Sequence, residues 1–385
     1  MTNALTLLSV GDLVLDEPDP DSFFEPSRAI LRSGDVVVGQ VEVPHTTATS
    51  EVSTDVPAPP ADPAALGALA RAGFTVGTLA GNHVYDSGEV GVIDTVSYLR
   101  ELGIVTAGAG RNLQEARSPA IVSRGDQAAR VGILSYNLVG PRESWATSRK
   151  AGCAYVSILT HYELDHASPG GPPAVYTFAD PVGLDAMTED IAALSADVDL
   201  VAVCMHKGVG HTPVELAMYE RPVARAAIEA GAHVVFAHHA HIMRGIEVYR
   251  GRPIYHGLGN FVSVTRALAV EGNDSPERRA WAEKRSRLYG FTPDPTMPFY
   301  PFHPESRNTV IATCRFDKRG LISAGFIPCW IDDQGRPAPA GRDEIGERVA
   351  DYVMRISEAA GLDTEFEWAG DEVQIVGVDG RTADV

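Results

Sequence analysis

The sequence predicts an α/β fold in which two sheets are packed as a sandwich and flanked by helices. Three observations lead there. From Leu5 to His241, short apolar runs rich in β-branched residues alternate with stretches of helical period. After Gly245 the alternation gives way to hairpin signals, which a simple doubly wound sheet would not show. Strand after strand also closes on a residue able to bind a metal ion. No repeat of fixed period is present.

In chain order, Leu5 to Val10 is the first strand and ends at Gly11-Asp12. Asp35 to Glu42 is a second apolar strand that closes on a carboxylate, and the Thr-, Ser- and Pro-rich stretch 44–60 is a loop. Asp62-Pro63 starts a helix, with Asp as N-cap and Pro at the first helical position. Leu66 and Leu69 form its buried face, and Gly73 ends it. Phe74 to Leu79 is a strand closing on Gly81-Asn82-His83. Glu89 to Leu102 carries Val92, Ile93, Val96 and Leu99 at helical spacing, stops at Gly103, and leads to the strand Ile104-Val105-Thr106.

Residues Pro119 to Val122 and Arg130 to Tyr136 read as a hairpin. Asp180-Pro181 opens a helix with Leu184, Met187, Ile191 and Leu194 inward, and Asp199 to Met205 is the strand that delivers His206. Arg221 to Ala230 is a helix stopped by Gly231, followed by the buried strand Ala232 to Phe236. Two hairpins follow, Gly245 to Tyr249 with Pro253 to Tyr255, and Asn308 to Phe316 with Leu321 to Ile327. The tail from Arg342 has an amphipathic helix, Ile345 to Ala359, and a small strand pair. Two stretches, Gly140 to Thr177 and Ser263 to Pro304, are too long for plain connectors and are candidate lids.

Composition narrows the function classes. The 385 residues carry a formal charge of −19, which disfavours nucleic acid and anionic membranes as partners. No basic leader or long apolar span is evident. Cys153, Cys204, Cys314 and Cys329 are widely separated and form no CxxC pair, so neither a zinc knot nor a disulfide framework is expected. A reducing cytoplasm fits best; the oligomeric state is not legible.

The chemistry gathers on Ala237-His238-His239-Ala240-His241, where a strand ends. The spacing of His239 and His241 lets two imidazoles converge on one or two ions while His238 points elsewhere. Asp12, Glu42, Asn82-His83 and His206 also follow predicted strands, and ligands gather beyond the carboxyl ends of strands in α/β sheets. Carboxylate, amide and imidazole donors together suit zinc, manganese or iron better than calcium or magnesium. One or two divalent ions are expected, with manganese or zinc favoured.

In motif order, Gly11-Asp12, Val41-Glu42, Gly81-Asn82-His83 with Asp86 and Gly88, His206 with Gly208, His239-Ala240-His241 and Tyr255-His256-Gly257-Leu258-Gly259-Asn260-Phe261 resemble the bacterial capsule-synthesis CapA family. The resemblance covers residues 5 to 335 and implies a four-layer α/β/β/α sandwich of the calcineurin-like metallophosphoesterase type. It makes residues 1–335 a catalytic domain, with 336–385 as a C-terminal helix and short strands packed on it.

In the metallophosphoesterase pattern, one metal takes an Asp-x-His pair, a bridging carboxylate and the last His of Gly-His-x-His. Asp12-Leu13-Val14 lacks the histidine, leaving Asp12, Glu42 and His241. The other metal's donors are all present as Glu42, Asn82, His206 and His239. A glutamate stands where the bridging aspartate is usual.

By the same resemblance His83 lies near the leaving group, with Asp86 orienting its ring; Lys207, His238 and His256 are the other candidate bases. In showing no anchor, the chain is similar to the branch that epimerises a lasso-peptide precursor. That implies metal-assisted removal of a peptide Cα proton. Phe291, Phe299, Tyr300 and Phe302 in the second long stretch are expected either to grip a bulky substrate side chain or to pack as surface-loop core. The rival expectations are hydrolysis of a phosphoester or amide, with His83 protonating the leaving group, and a noncatalytic metal-stabilised binding module. A peptide or small molecule is the expected substrate.

Overall fold

Strand Leu200–His206 sends Leu200, Ala202 and Cys204 into one apolar layer and Val201, Val203 and Met205 into another, so both of its faces are covered. The same alternation runs through the whole chain and builds four layers. The structure, a computed structural model, describes residues 4–49, 52, 60–124, 129–163, 171, 173–266 and 276–378.

Among the described residues ten strands form one sheet and six form a second. Leu5–Leu15 is central in the larger sheet. Val36–Val41, Val76–Thr78 and Val105–Ala107 follow in parallel on one side of it. On its other side Asn308–Asp317 pairs antiparallel with its first half and Asn260–Val264 pairs parallel with its second. The smaller sheet runs Ile246–Tyr249, Arg252–Tyr255, Val234–His238, Leu200–His206, Ala129–Asn137, Ala120–Arg124.

Leu7, Val36 and Val38 of one sheet meet Ile133, Ala202 and Phe236 of the other in the inter-sheet core. Gly67–Ala72 and Gly88–Glu101 cover the outside of the larger sheet through Leu69, Val92 and Leu99. Pro181–Ser195 and Glu220–Glu229 cover the smaller one through Met187, Ile191, Val223 and Ile228. The expected α/β/β/α sandwich is therefore the fold observed. Among the described residues no helix is long and apolar enough to cross a membrane.

Local chemistry sets the element ends as expected. Asp62 and Asp180 cap their helices by accepting from Ala64 N and Gly183 N, and Gly73 closes a helix at φ 105°. Past residue 335, Pro337–Pro339 and Glu372–Ile375 add to the larger sheet beside Gly320–Ile331, while helix Glu344–Ala359 turns Val349, Val353 and Ile356 into the inter-sheet core.

Three readings change. The first strand does not stop at Asp12 but continues to Leu15 through an irregularity in its pairing. Gly140 to Thr177, expected to be more than a plain connector and a candidate lid, has strands of its own: Ile158–Glu163 and Ala174–Ala179 pair as a separate ribbon, with 164–170 and 172 outside the described residues. Likewise Ser263 to Pro304 includes the end of strand Asn260–Val264 and helix Pro276–Tyr289, with 267–275 outside the described residues. Most of the expected 44–60 loop beyond Thr49 also lies outside them.

Two histidines, His45 buried and His233 half-buried, make the fold acid-sensitive. Burial pushes His45 down to about 4, and burial together with Arg252 pushes His233 to about 3. His233 Nδ1 accepts the Val201 N–H at 3.1 Å, a bond that protonation breaks. In the unfolded chain both titrate near 6.5, so their contribution is whole above that pH and is lost as the pH falls toward 4. Urea unfolding is expected to show a loss of about 2 kcal/mol per histidine between pH 7 and 4.5. His233→Asn, which keeps the acceptor but takes up no proton, should remove one such share; an undiminished loss in that variant would refute the assignment.

Candidate metal centre

The donors collect at one rim of the inter-sheet layer, and strand parity explains how. In Leu5–Leu15, Leu8 and Val10 face the outer helices, and so do Leu13 and Leu15, a change from even to odd numbers. The register shift between Ser9 and Asp12 causes it: a bulge turns Asp12 from the helix side to the inter-sheet side. Gly11 is required there, because a Cβ would lie 2.1 Å from Gly259 O, the carbonyl that accepts the Asp12 N–H at 2.8 Å. In the next strand Val36 and Val38 face inward, and two steps beyond Gln40 the same parity brings in Glu42.

Asn82 and His83 sit in the turn between strand Val76–Thr78 and helix Gly88–Glu101. His206 is the inward-facing last residue of its strand. His239 and His241 follow strand Val234–His238 with φ of 88° and 53°, left-handed conformations that turn both rings to the rim.

The atoms meet closely. His206 Nε2 lies 2.8 Å from Asn82 Oδ1, 3.2 Å from His239 Nδ1 and 3.4 Å from Glu42 Oε1. His241 Nδ1 is 3.3 Å from Asp12 Oδ2, and His241 Nε2 is 3.9 Å from Glu42 Oε1. Ligand atoms of Asp12, Glu42 and His206 fall within 4.8 Å of one another. An ion bonded at about 2.1 Å sets donor-to-donor edges of about 3.0 to 3.4 Å, so the contacts around His206 are those of a coordination shell.

Hydrogen bonding points the same way. Both Glu42 oxygens, Asp12 Oδ1 and His206 Nδ1 are buried without a hydrogen-bond partner. The residues present therefore fit a divalent ion.

The electrostatics are those of a site waiting for positive charge. Burial pushes the Asp12 carboxyl well above its usual range, and the neighbouring Glu42 charge pushes it further. Burial alone would raise Glu42 too, but His206, His241 and His83 outweigh it and hold it low. Burial drives His239 far down and His241 to about 4, which leaves both imidazoles neutral and able to donate lone pairs at neutral pH.

Of the candidate acid–base groups, the structure brings His83 and Asp86 to the rim. His83 Nδ1 lies 2.7 Å from Asp86 Oδ2, and its ring is close enough to perturb Glu42, His239 and His241. The other three are elsewhere. His238 keeps the inward parity of its strand, and its Nε2 donates across the layer to Val10 O at 3.1 Å. Lys207 is fully buried, with Nζ 2.8 Å from Glu220 Oε2 and 3.2 Å from His256 Nδ1, while His256 Nε2 lies 3.0 Å from Glu247 Oε2. These side chains form a closed ionic network and present no base to a substrate.

Two residues at the rim were not singled out by the sequence reading. Asn260 Oδ1 accepts from His241 Nδ1 at 2.9 Å, which fixes the tautomer and leaves Nε2 toward Glu42. It could have been found at the end of the Tyr255-to-Phe261 motif. His211, buried beside His241, is preceded by Gly208-Val209-Gly210 just after His206, a weak signal. Of the aromatic residues, Phe302 packs 5.0 Å from the His241 ring, Phe291 packs 4.7 Å from His211, and Tyr300 OH accepts from Asn260 Nδ2. Phe299 packs both against the cluster of Met297, Tyr300, Phe302 and Ile331 and over the helix-side core.

Fold and site together define an α/β sandwich protein with a candidate metal centre at one rim. Residues 6–265 match the family described as Bacterial capsule synthesis protein PGA_cap, and the chain belongs to that family. It is 33% identical to a probable polyglutamine synthesis accessory protein of Mycobacterium tuberculosis, over 48% of this chain and 44% of that one. To the capsule biosynthesis protein CapA of Bacillus anthracis it is 26% identical over 67% of this chain and 59% of the relative. To the PGA biosynthesis protein CapA of Bacillus subtilis it is 27% identical over 68% and 63%. The matches thus span about half of these relatives' length. Among solved structures, the calcineurin-like phosphoesterase YfkN of Bacillus subtilis aligns with 94% of this chain and 98% of its own at 10% identity and a TM-score of 0.40.

Replacing Asp12 separates the cost of the site from its use. Asp12→Asn removes a carboxylate whose ionisation burial opposes, so the metal-free variant is expected to melt ~2–4 °C above wild type. It should bind Mn²⁺ at least about tenfold more weakly by titration calorimetry. Undiminished Mn²⁺ affinity in this variant would remove Asp12 from the ligand set.

Proposed function

We propose that this chain is a metal-dependent hydrolase of an amide or phosphoester, with Asp12, Glu42, Asn82, His206, His239 and His241 as ligands and the His83–Asp86 pair as its acid–base group. The observation that carries the reading is the placement of one His–Asp pair beside a cluster of donors with coordination-shell spacing. A divalent ion bound there supplies Lewis acidity toward a substrate oxygen. Asp86 accepts the Nδ1–H of His83, sets its tautomer and raises its basicity, so that Nε2 exchanges the proton with the leaving atom. The buried setting and the Phe291–Phe302 wall limit water around the reacting atoms.

Relatives named for capsule, PGA and polyglutamine synthesis support an amide-linked substrate over a phosphoester. Epimerisation of a peptide Cα stands second. The same ligands would steady an enolate, and His83 would serve as one base. It stands second because a two-base mechanism needs a partner on the opposite face, and Lys207, His238 and His256 are held elsewhere.

The experiment is incubation of the Mn²⁺- or Zn²⁺-loaded chain with glutamine and glutamate oligomers, a lasso-peptide precursor and a phosphodiester in heavy water, read by mass spectrometry. Cleaved product is expected, with turnover about 10²- to 10⁴-fold lower in His83→Ala. Uncleaved peptide carrying deuterium at Cα would replace hydrolysis by epimerisation. Undiminished function in Asn82→Ala and His83→Ala would favour a noncatalytic binding module.

A further inference from the structure

We infer that His211 is a positioning residue for His241, stacking on its imidazole and so controlling the ion position made by Asp12, Glu42 and His241. The inference rests on the metal-centre reading above and extends it to a residue outside the ligand set.

The placement of His211 is specific. Among the described residues five non-glycine positions have positive φ, and three of them are His211 at 59°, His239 at 88° and His241 at 53°. Left-handed backbone at a non-glycine residue persists where surrounding contacts enforce it. For His211 those contacts are visible: its N–H donates to Ala240 O at 2.7 Å, tying it to the turn between the two ligands. Its ring stacks on His241 with centroids 6.0 Å apart and 29° between planes. Tyr289 and Phe291 then meet His211 edge-on at 4.9 and 4.7 Å, and Phe302 lies 5.0 Å from His241.

His241 is the donor that needs this support. Its side chain is 16% exposed, against 0 to 1% for Asp12, Glu42 and His206. Asn260 fixes its ring through Nδ1 but does not restrain rotation out of that contact's plane. His211 and Phe302 supply the face contacts that do. The other candidate ion position has no such dependence, since Asn82 and His239 each contact His206 directly.

The test is calorimetric titration of Mn²⁺ into the metal-stripped full chain, with circular dichroism confirming that each variant is folded. Wild type is expected to take up two ions. His211→Ala should weaken one of them about three- to tenfold and leave the other unchanged, whereas Asn82→Ala should weaken the other. His211→Phe, which retains a stacking ring without a donor nitrogen, should restore the lost affinity. Wild-type binding in His211→Ala overturns the inference, as does a single wild-type ion unmoved by that change. Failure of His211→Phe to rescue also overturns it, because the imidazole itself would then be required. A wild type that binds no ion removes the metal-centre reading, and this inference with it, a result distinct from the others.

Discussion

A carboxylate with two buried oxygens and no hydrogen-bond partner is the constraint on which the rim depends. Glu42 is 1% exposed, and removing an ionised carboxylate from water costs several kcal/mol even after relaxation. The imidazoles of His206, His241 and His83 outweigh that cost when they carry charge, yet burial opposes charge on His239 and His241 at neutral pH. Asp12 makes the problem worse, since its own ionisation is opposed by both burial and Glu42. A fold with no use for a cation would place apolar side chains here, as it does at Leu7, Val36 and Val38 of the same two strands.

Beneath the rim the chain keeps a second set of charges, and it is closed. Lys207 and Arg244 share Glu220, while His256 joins Lys207 to Glu247, which also accepts from Arg221 and Arg225. Gly208 is part of that closure: a Cβ on it would lie 2.1 Å from Arg244 Nη1, and its φ is +104°. The network fixes the start of the segment between strand Leu200–His206 and helix Glu220–Glu229, the segment that carries His211. Paired buried charges are better evidence for a defined geometry than for stability, and here the geometry belongs to the wall of the site.

Much of this was legible from residues alone, for reasons of period. Apolar runs in Asp35 to Glu42 and Asp199 to Met205, helical spacing in Glu89 to Leu102, and Asp-Pro starts at 62 and 180 are local signals, and the structure keeps them. The six candidate donors stand out in the sequence because each follows an expected strand, although Asp12 lies within Leu5–Leu15 and His206 ends its own strand. What escaped depends on contacts distant in sequence. The bulge at Asp12 is set by Gly259 and Asn260, more than half the chain away. Lys207 looked like a candidate base because its neighbour is a donor, but adjacent residues at a strand end point to opposite sides. His238 reads like its neighbours until the parity of Val234–His238 sends it across to Val10.

That parity also accounts for the departure at Asp12-Leu13-Val14. Because the strand continues beyond the bulge, position 14 is still within a sheet, and Val14 packs with Val43 and Ala61 in a small apolar cluster. A histidine there would have to leave that cluster to reach an ion, losing packing that the strand's pairing with Asn260–Val264 holds in place. The chain therefore lacks a second candidate ligand on its first strand, and the candidate ion position beside His241 is left with Asp12, Glu42 and His241. With one donor fewer, each remaining donor must be better held. Asn260 does this from the same strand that sets the bulge, through its bonds with His241 Nδ1, His241 O and Tyr300 OH. Bulge, missing histidine and supported His241 are thus three consequences of one strand pairing.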